Sequence, residues 1–181
     1  CSNPGLSGCT HSPETGAAYE REIMLGKIVR GENIYDTLTP EFMLRDSIFA
    51  FNRLKNNDSL LHLNTPDDSI YQTFYNYCKE RNIGKFAKVV EYIIDSTLHH
   101  IDSASTLNQS INAANLMHEN EKAVNVLYLK KLNYEADSAH TKEYRFDSVE
   151  ISELQNVAFQ EPKKGGNAVY MARILLWQDV F

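Results

Sequence analysis

Apolar side chains recur along most of the chain at the three- to four-residue spacing of an α-helix. The clearest example runs from about Lys85 to Ala104, where polar residues occupy the opposite stripe. This period predicts one continuous helix over the segment. The best strand candidate, residues 143–151, is interpreted as a connection. The pattern therefore predicts an all-α fold, an irregular bundle of about six to seven helices.

Two Thr-Pro pairs, at 39–40 and 65–66, predict where helices begin. In each pair the threonine is expected to be the N-cap, with proline at the first helical position. The helix after the first pair is expected to reach about Leu54. The helix after the second pair is expected to end near residues 81–82, with Gly84 marking the turn.

Glycines and capping residues set the other boundaries. The segment 17–31 predicts a first helix that Gly31 stops, and roughly 108–136 predicts a fifth with a break near 118–121. Ser152 with Gln155 three positions later predicts a capping box that opens a short sixth helix.

The last helix is expected to begin after Asn167 and to bury Ala168, Val169, Ala172, Leu175 and Leu176. Residues 1–16, rich in Ser, Pro, Gly and Thr, predict an irregular lead-in. Residues 17–181 are then expected to form a single helical domain.

Composition and charge narrow the function classes. The chain of 181 residues has a net charge of −6 and a pI near 5.5. This argues against nucleic acid as the main partner, because phosphate binding needs a basic surface. No apolar run approaches the roughly 20 residues that a membrane helix needs, so we expect no transmembrane segment.

The three cysteines bound the redox chemistry. Cys1 and Cys9 flank a turn-rich loop that can close into a disulfide, whereas Cys78 is expected to be a buried thiol. Two interpretations of Cys1 stay open: it is the lipid-bearing first residue of a bacterial lipoprotein, or the start of a fragment. The Cys1–Cys9 disulfide is expected if the protein is exported and Cys1 is not lipidated.

The stretch "EPKKGGN", residues 161–167, precedes the last predicted helix, where backbone amides can bind an anion. It lacks the glycine spacing and terminal Lys-Ser/Thr of a phosphate-binding loop. We therefore expect a tight helix–helix turn without a ligand, in which Gly165 or Gly166 adopts a positive φ. Arg173 is expected to lie on the polar side and pair with a nearby acid.

One side of the fourth predicted helix collects Asp95, His99 and Asp102, a set that can bind a metal ion. The alternative is a solvated polar face, since no ligand from a second helix can be named. No Ser–His–Asp arrangement or nucleophile elbow is present. We expect no metal, no cofactor and no enzymatic activity.

A less ordinary pattern follows the aspartates. Of the ten aspartates, eight are followed by Ser or Thr and then by an apolar residue or Thr, where chance composition gives fewer than one such triplet. Helix capping explains some Asp-Ser pairs but not those inside predicted helices. The hydroxyl-bearing residues are Thr37, Ser47, Ser59, Ser69, Ser96, Ser103, Ser138 and Ser148.

The triplet resembles the O-glycosylation sequon of the Bacteroidota, in which Asp is followed by Ser or Thr and then Ala, Ile, Leu, Val, Met or Thr. The resemblance implies export from the cytoplasm; compositional drift is the alternative. A glycan cannot enter a packed interior. We therefore expect Ser96 and Ser103, seven residues apart, to be exposed on one face of the same helix beside His99 and His100.

Residues 154–176 carry a second resemblance. The run Leu154, Val157-Ala158, Gln160, Pro162, Gly165-Gly166, Ala168-Val169-Tyr170, Ala172-Arg173 and Leu175-Leu176 resembles a segment of large Bacteroidota surface and secreted proteins. In those proteins it commonly precedes the C-terminal sorting signal of type IX secretion. The resemblance implies a surface or secreted location.

Together these features predict a non-enzymatic structural or protein-binding helical module of an exported Bacteroidota protein, working with a protein partner or larger surface assembly. The first alternative is an outer-membrane lipoprotein, anchored through Cys1 and acting as an accessory subunit. The second is an exported enzyme or carbohydrate-binding protein. Converging acids or histidines in a deep pocket would favour this last class.

Overall fold

The computed structural model describes residues 25–32, 39–95, 97–137, 139 and 143–180, apart from the side chains of Leu98 and of residues 178–180. Over these residues the fold is all-α, with nine helices, seven of them of seven or more residues, and no strand. The predicted fold class is confirmed. The helices are α1 Gly26–Val29, α2 Pro40–Asn56, α3 Asp68–Lys79, α4 Asn82–Asp95, α5 Leu98–Ser110, α6 Leu116–Ala136, α7 Ser148–Ala158, α8 Pro162–Gly165 and α9 Ala168–Val180.

The first Thr-Pro pair begins a helix as predicted. Thr39 is the N-cap of α2: its hydroxyl oxygen accepts the Phe42 N–H at 3.4 Å, and Pro40 takes the first helical position. The second pair acts differently, because α3 begins two residues after its proline. There Asp68 accepts hydrogen bonds from Asn64 N and Thr65 Oγ1, both at 2.9 Å.

Gly84 does not mark a turn, so that prediction was wrong. The chain reverses at Glu80 and Arg81, and Gly84 is buried inside α4. A Cβ added at Gly84 would lie 2.1 Å from the carbonyl oxygen of Lys79. The glycine is needed for the close approach of α3 and α4, and not for a left-handed backbone. Gly31, by contrast, follows α1 with φ +69°, as its predicted role requires.

The predicted fourth helix is two helices. α4 ends at Asp95, and Thr97, with φ −72° and ψ 150°, is the extended N-cap of α5. The hydrophobic period hides the break because α4 and α5 pack on each other in one core. Its buried members are Phe86, Val89, Ile93, Ile101, Ala104, Ile111 and Leu129.

Two later boundaries also differ from the prediction. The fifth predicted helix begins only at Leu116, because the Asn115 side chain caps it by accepting the His118 N–H. The helix then continues through residues 118–121 without the predicted break. The capping box lies at Asp147 and Glu150 instead of Ser152 and Gln155. The earlier pair has the same three-residue spacing, so α7 begins five residues sooner than expected.

Three apolar cores follow one another along the chain. The first joins α1, α2 and α3, the second joins α4, α5 and α6, and the third joins α6, α7 and α9. The long helix α6 serves both later cores, through Leu129 on one side and Val124 and Leu127 on the other. α2 also contacts α8, which brings the first core against the C-terminal helices.

The predicted core of the last helix is confirmed. Ala168, Val169, Ala172 and Leu175 are buried in the third core, with Leu176 packed against it. Cys78 is a buried thiol, as predicted, and burial raises its pKa to about 11. Among the described helices, none is long and apolar enough to cross a membrane.

Candidate functional site

The "EPKKGGN" segment, which includes the four-residue helix α8, forms a tight turn between α7 and α9. Gly166 has φ +77°, so the predicted positive φ is confirmed. Gly165 is buried, and a Cβ added there would come within 2.5 Å of Val169 Cγ2 and 2.8 Å of Gln160 Oε1. Gly166 is therefore required for its backbone conformation, and Gly165 is required because no side chain fits there.

A buried amide pair fixes this turn on α6. Asn120, only 5% exposed, donates from Nδ2 to Gln160 Oε1 at 2.7 Å and to the Gly165 carbonyl oxygen at 3.1 Å. Gln160 Nε2 donates back to Asn120 Oδ1 at 3.2 Å. Because buried amides are costly to leave unpaired, this reciprocal pair holds the turn in one position relative to α6.

Arg173 also stabilises the turn, in a way that differs from the prediction. Its Nε donates to the Ala158 carbonyl oxygen at 2.8 Å and its Nη2 to the Gln160 carbonyl oxygen at 3.3 Å. The expected acidic partner is replaced by carbonyl groups at the C-terminal end of α7. A cation at the C-terminal end of a helix also interacts favourably with the helix dipole.

A cleft of about 840 Å³ lies where α2 faces this turn and α6. Ile48 and Phe49 line it from α2, and Met117, Pro162 and Tyr170 line it from the C-terminal helices. Its charged lining residues are Arg45, Asp46, Arg53, Glu121 and Lys163. The cleft thus combines apolar walls with polar groups from both halves of the fold, a common arrangement in ligand sites.

A second pocket, of about 480 Å³, adjoins the first. It is lined by Pro40, Phe42 and Leu116, among others, and shares Met117 and Lys163 with the larger cleft. Both hollows therefore border the region where α2 approaches the turn.

Glu121 is the most perturbed group of the cleft. Burial raises its pKa to about 7. Within the described residues its carboxylate has no hydrogen bond and no ion pair. Burial also raises the pKa of Asp46, although Arg45 opposes the shift. An acid that is costly to ionise in a cleft is a functional-site candidate.

Sequence reasoning missed Glu121. It lies in the polar run "HENEK", and nothing local distinguishes it from the exposed acids of other helices. The cleft that Glu121 lines has its other wall on α2, which is far away in sequence. No residue pattern within α6 could have revealed it.

The candidate glycosylation sites fall into three groups. Ser59, Ser69 and Ser148 are exposed. Ser47 and Ser103 are partly buried inside helices, and their hydroxyls donate to the carbonyl oxygens of Met43 and His99, four residues earlier, at 2.8 and 2.9 Å. Thr37, Ser96, Ser138, and Cys1 with Cys9, proposed for a disulfide or lipidation, lie outside the described residues.

The expected shared face of Ser96 and Ser103 cannot be followed to both residues, because Ser96 lies outside the described residues. The single helix on which the expectation rested is two helices, α4 ending at Asp95 and α5 beginning at Leu98. Ser103 is partly buried on α5. The 100° spacing that related the two serines applies only within an unbroken helix.

Several aspartates of the triplets stabilise the local backbone. Asp147 caps α7 by accepting the N–H groups of Val149 and Glu150, and Asp137 accepts the Ala139 N–H. Asp68 binds two donors ahead of α3, as described above. These contacts give a structural reason for the aspartates, but none of them uses the hydroxyl residue that follows.

The candidate metal ligands are not brought together. Asp95 ends α4, whereas His99 and Asp102 belong to α5. His100 Nδ1, and not His99, lies 2.7 Å from Asp95 Oδ2. In the part of the chain that the structure describes, no group of three or more metal-ligating side chains comes together.

Comparison with protein-family models, with curated proteins and with solved structures found no match to this chain.

Proposed function

We propose that this chain is a non-enzymatic, protein-binding helical module of an exported Bacteroidota protein that carries O-glycans. One observation carries the proposal: eight of ten aspartates begin the glycosylation triplet. The accessibility of three acceptors supports it, because Ser59, Ser69 and Ser148 are exposed at or near the start of a helical segment. A glycan at such a position would point into solvent.

The surface of α9 supports the protein-binding part of the proposal. Tyr170, Ile174 and Trp177 are spaced by four and three residues and are 54%, 51% and 70% exposed. At this spacing they lie on one side of the helix. Large apolar residues grouped on one exposed face are typical of surfaces that meet another protein.

Glycosylation is tested by producing the chain with an export signal in a Bacteroidota host and measuring its intact mass. The triple substitution of Ser59, Ser69 and Ser148 by alanine should remove most of the mass added to the polypeptide. Ser152→Ala is the matched control, because Ser152 is exposed on α7 but follows Ile151 instead of an aspartate. An exported chain with only its polypeptide mass would refute the proposal.

A second candidate, an exported carbohydrate-binding protein, is favoured by the cleft. It brings the acids Asp46 and Glu121 together with amide groups and with the rings of Phe49 and Tyr170. Such groups can bind sugar hydroxyls and sugar faces. Glycan-array binding by the wild-type chain that is lost in Tyr170→Ala would support this candidate; an array without binding would exclude it.

A further inference from the structure

We propose that His118 acts as a pH-sensitive latch at the start of α6. Protonation of its ring would break the amide contacts that hold the first turn of this helix, and would loosen the wall that the turn provides for the cleft. The inference goes beyond the proposed function, and it depends neither on glycosylation nor on the identity of a partner.

The first step concerns the two amides that face the ring. His118, only 6% exposed, has its Nδ1 atom 2.9 Å from Asn115 Nδ2 and 3.3 Å from Asn82 Nδ2. Asn115 Oδ1 accepts the His118 N–H at 3.0 Å as the N-cap of α6, which leaves its Nδ2 for the ring. Asn82 Nδ2 also donates to the Asn112 carbonyl oxygen at 2.8 Å, which fixes the orientation of that amide. Both amides therefore present N–H donors to Nδ1, so the neutral ring accepts there and carries its proton on Nε2.

The second step concerns the surroundings that a protonated ring would have. A protonated imidazole donates from both nitrogens. At Nδ1 the new N–H would oppose two other donors, and Nε2 is buried without a hydrogen-bond partner among the described residues. The Phe86 ring, whose centre lies 5.4 Å from that of His118, adds an apolar neighbour. Burial lowers the pKa of His118, which agrees with this geometry.

Within the described residues, no charged group forms an ion pair or a hydrogen bond with His118. The charged residues of the elements around the ring are Arg81 and Lys85 at the start of α4, and Glu119, Glu121 and Lys122 on α6. The second pocket, which Asn115 also lines, adds Glu41, Glu161, Lys163 and Lys164. Arg81 lies over the Tyr77 ring instead, and Lys122 donates to carbonyl oxygens at the end of α5. The cation would therefore have no partner in the closed arrangement.

The third step follows from the roles of the two amides. To accept from a protonated Nδ1, Asn115 must rotate its side chain and give up the N-cap of α6. Alternatively, Asn82 must rotate and release the Asn112 carbonyl oxygen. The first rotation leaves amides of the first turn of α6 without their acceptor, and the second frees the 111–115 loop from α4. Either change acts at the start of α6.

The start of α6 borders both hollows described above. Leu116 and Met117 line the second pocket, and Met117 also lines the larger cleft. Met117 lies against the 161–167 turn as well, since a Cβ added at Gly166 would come within 3.3 Å of its Cβ and Cγ. Loosening the first turn of α6 would therefore move a wall of the cleft. The latch thus makes access to the candidate ligand site dependent on pH.

An NMR titration of the full chain from about pH 8 to about pH 4.5 tests the latch. The background is Glu121→Gln, because Glu121 has a pKa of about 7 and would titrate in the same cleft. The side-chain amide signals of Asn82 and Asn115 should move with the midpoint of the His118 ring. The backbone amide of Gly166 should follow the same midpoint. The hydrogen-exchange protection of the His118 amide should fall about fivefold across it, the factor expected for a lost N-cap bond.

Two substitutions that add the same charge separate the latch from general electrostatics. Asn115→Asp keeps the cap and places a carboxylate oxygen where the amide nitrogen faces Nδ1. It should raise the midpoint of the His118 ring by about one pH unit or more, and protection should no longer fall on protonation. Asn112→Asp is the matched control, because Asn112 is exposed and contacts Asn82 through its backbone carbonyl. The control should change the midpoint much less.

Three results would overturn the inference. Equal midpoints in Asn115→Asp and Asn112→Asp would show that the cap amide does not control protonation of the ring. Ring protonation that leaves the Asn82 and Asn115 signals and the His118 protection unchanged would exclude the latch. A response confined to the start of α6, with the Gly166 amide unchanged, would exclude the coupling to the cleft.

Discussion

Replacing Glu121 with glutamine should stabilise the protein, and increasingly so as pH rises. The folded-state pKa of Glu121, about 7, lies above the ordinary value of 4.5. A carboxyl whose pKa is raised by folding contributes stability that is fully present below the unfolded pKa. That contribution is lost as pH rises through the folded pKa. The wild type should therefore lose stability between about pH 4.5 and pH 7, and Glu121→Gln should lack this loss.

The magnitude follows from the size of the shift. Each pKa unit corresponds to about 1.36 kcal/mol, so ionising Glu121 in the folded state costs up to roughly 3 kcal/mol. Because the side chain is only partly buried, solvent reduces this cost, and we expect about 1–3 kcal/mol at pH 8. Well below pH 4.5, where the carboxyl is protonated in both the folded and the unfolded state, the two proteins should have nearly the same pH slope.

The assay is urea unfolding, followed by circular dichroism at several pH values between 4.5 and 8. Glu153→Gln, on an exposed position of α7, controls for the loss of one negative charge. The other charged or titratable groups of the cleft are unchanged in both variants: Arg45, Asp46, Arg53, Lys163 and Tyr170. Parallel stability curves for wild type and Glu121→Gln would refute the reasoning, since the carboxyl would then titrate normally.

Three further predictions follow from buried contacts. Gly84→Ala should lower the free energy of unfolding by about 3 kcal/mol, because the new Cβ would lie 2.1 Å from the Lys79 carbonyl oxygen. Gly31→Ala should lower it by only about 1 kcal/mol, because no atom lies within 4 Å of a Cβ added there. Equal losses for the two variants in urea unfolding would contradict this prediction. Glu150→Ala should lower the free energy of unfolding by about 2 kcal/mol in the same assay, because Glu150 accepts hydrogen bonds from the Tyr144 hydroxyl and from Asp147 N. An unchanged unfolding midpoint would argue that these hydrogen bonds do not stabilise the fold. Burial lowers the pKa of His118 below its usual 6.5, so an NMR titration of its ring should show a midpoint under that value. The stability of the protein should fall as pH decreases below about 6.5. A midpoint above 6.5 would exclude a neutral, desolvated ring.

The features that sequence predicted well are local. Thr39 caps α2 because its oxygen bonds an amide three residues away, and Gly166 needs its positive φ for the turn itself. The buried face of α9 follows from the spacing of apolar residues within one helix. Each of these depends on neighbours within about one helical turn, which sequence patterns describe directly.

The features that sequence missed depend on contacts between different helices or on a hidden change of direction. The apolar period runs unbroken across Thr97, since both α4 and α5 bury their apolar faces in the same core. A glycine is typical both of turns and of close packing, so the sequence does not distinguish these roles at Gly84. The Lys79 backbone, which leaves no room for a side chain, shows that the role is close packing. Glu121 lines a cleft that exists only because α2, distant in sequence, lies opposite α6 and the turn.

Capping and glycosylation make different demands on the Asp-Ser triplets. A cap needs the aspartate at a helix start and places no requirement on the two residues that follow, as at Asp147. Asp46 and Asp102 lie inside α2 and α5, where no cap is needed, and yet each is followed by serine and an apolar residue. Capping therefore accounts for the position of some aspartates but not for the serine beside them. If the serines are retained as acceptors, modification after folding should favour Ser148 over Ser103. Ser148 is exposed, whereas Ser103 is partly buried and its hydroxyl donates to the His99 carbonyl oxygen.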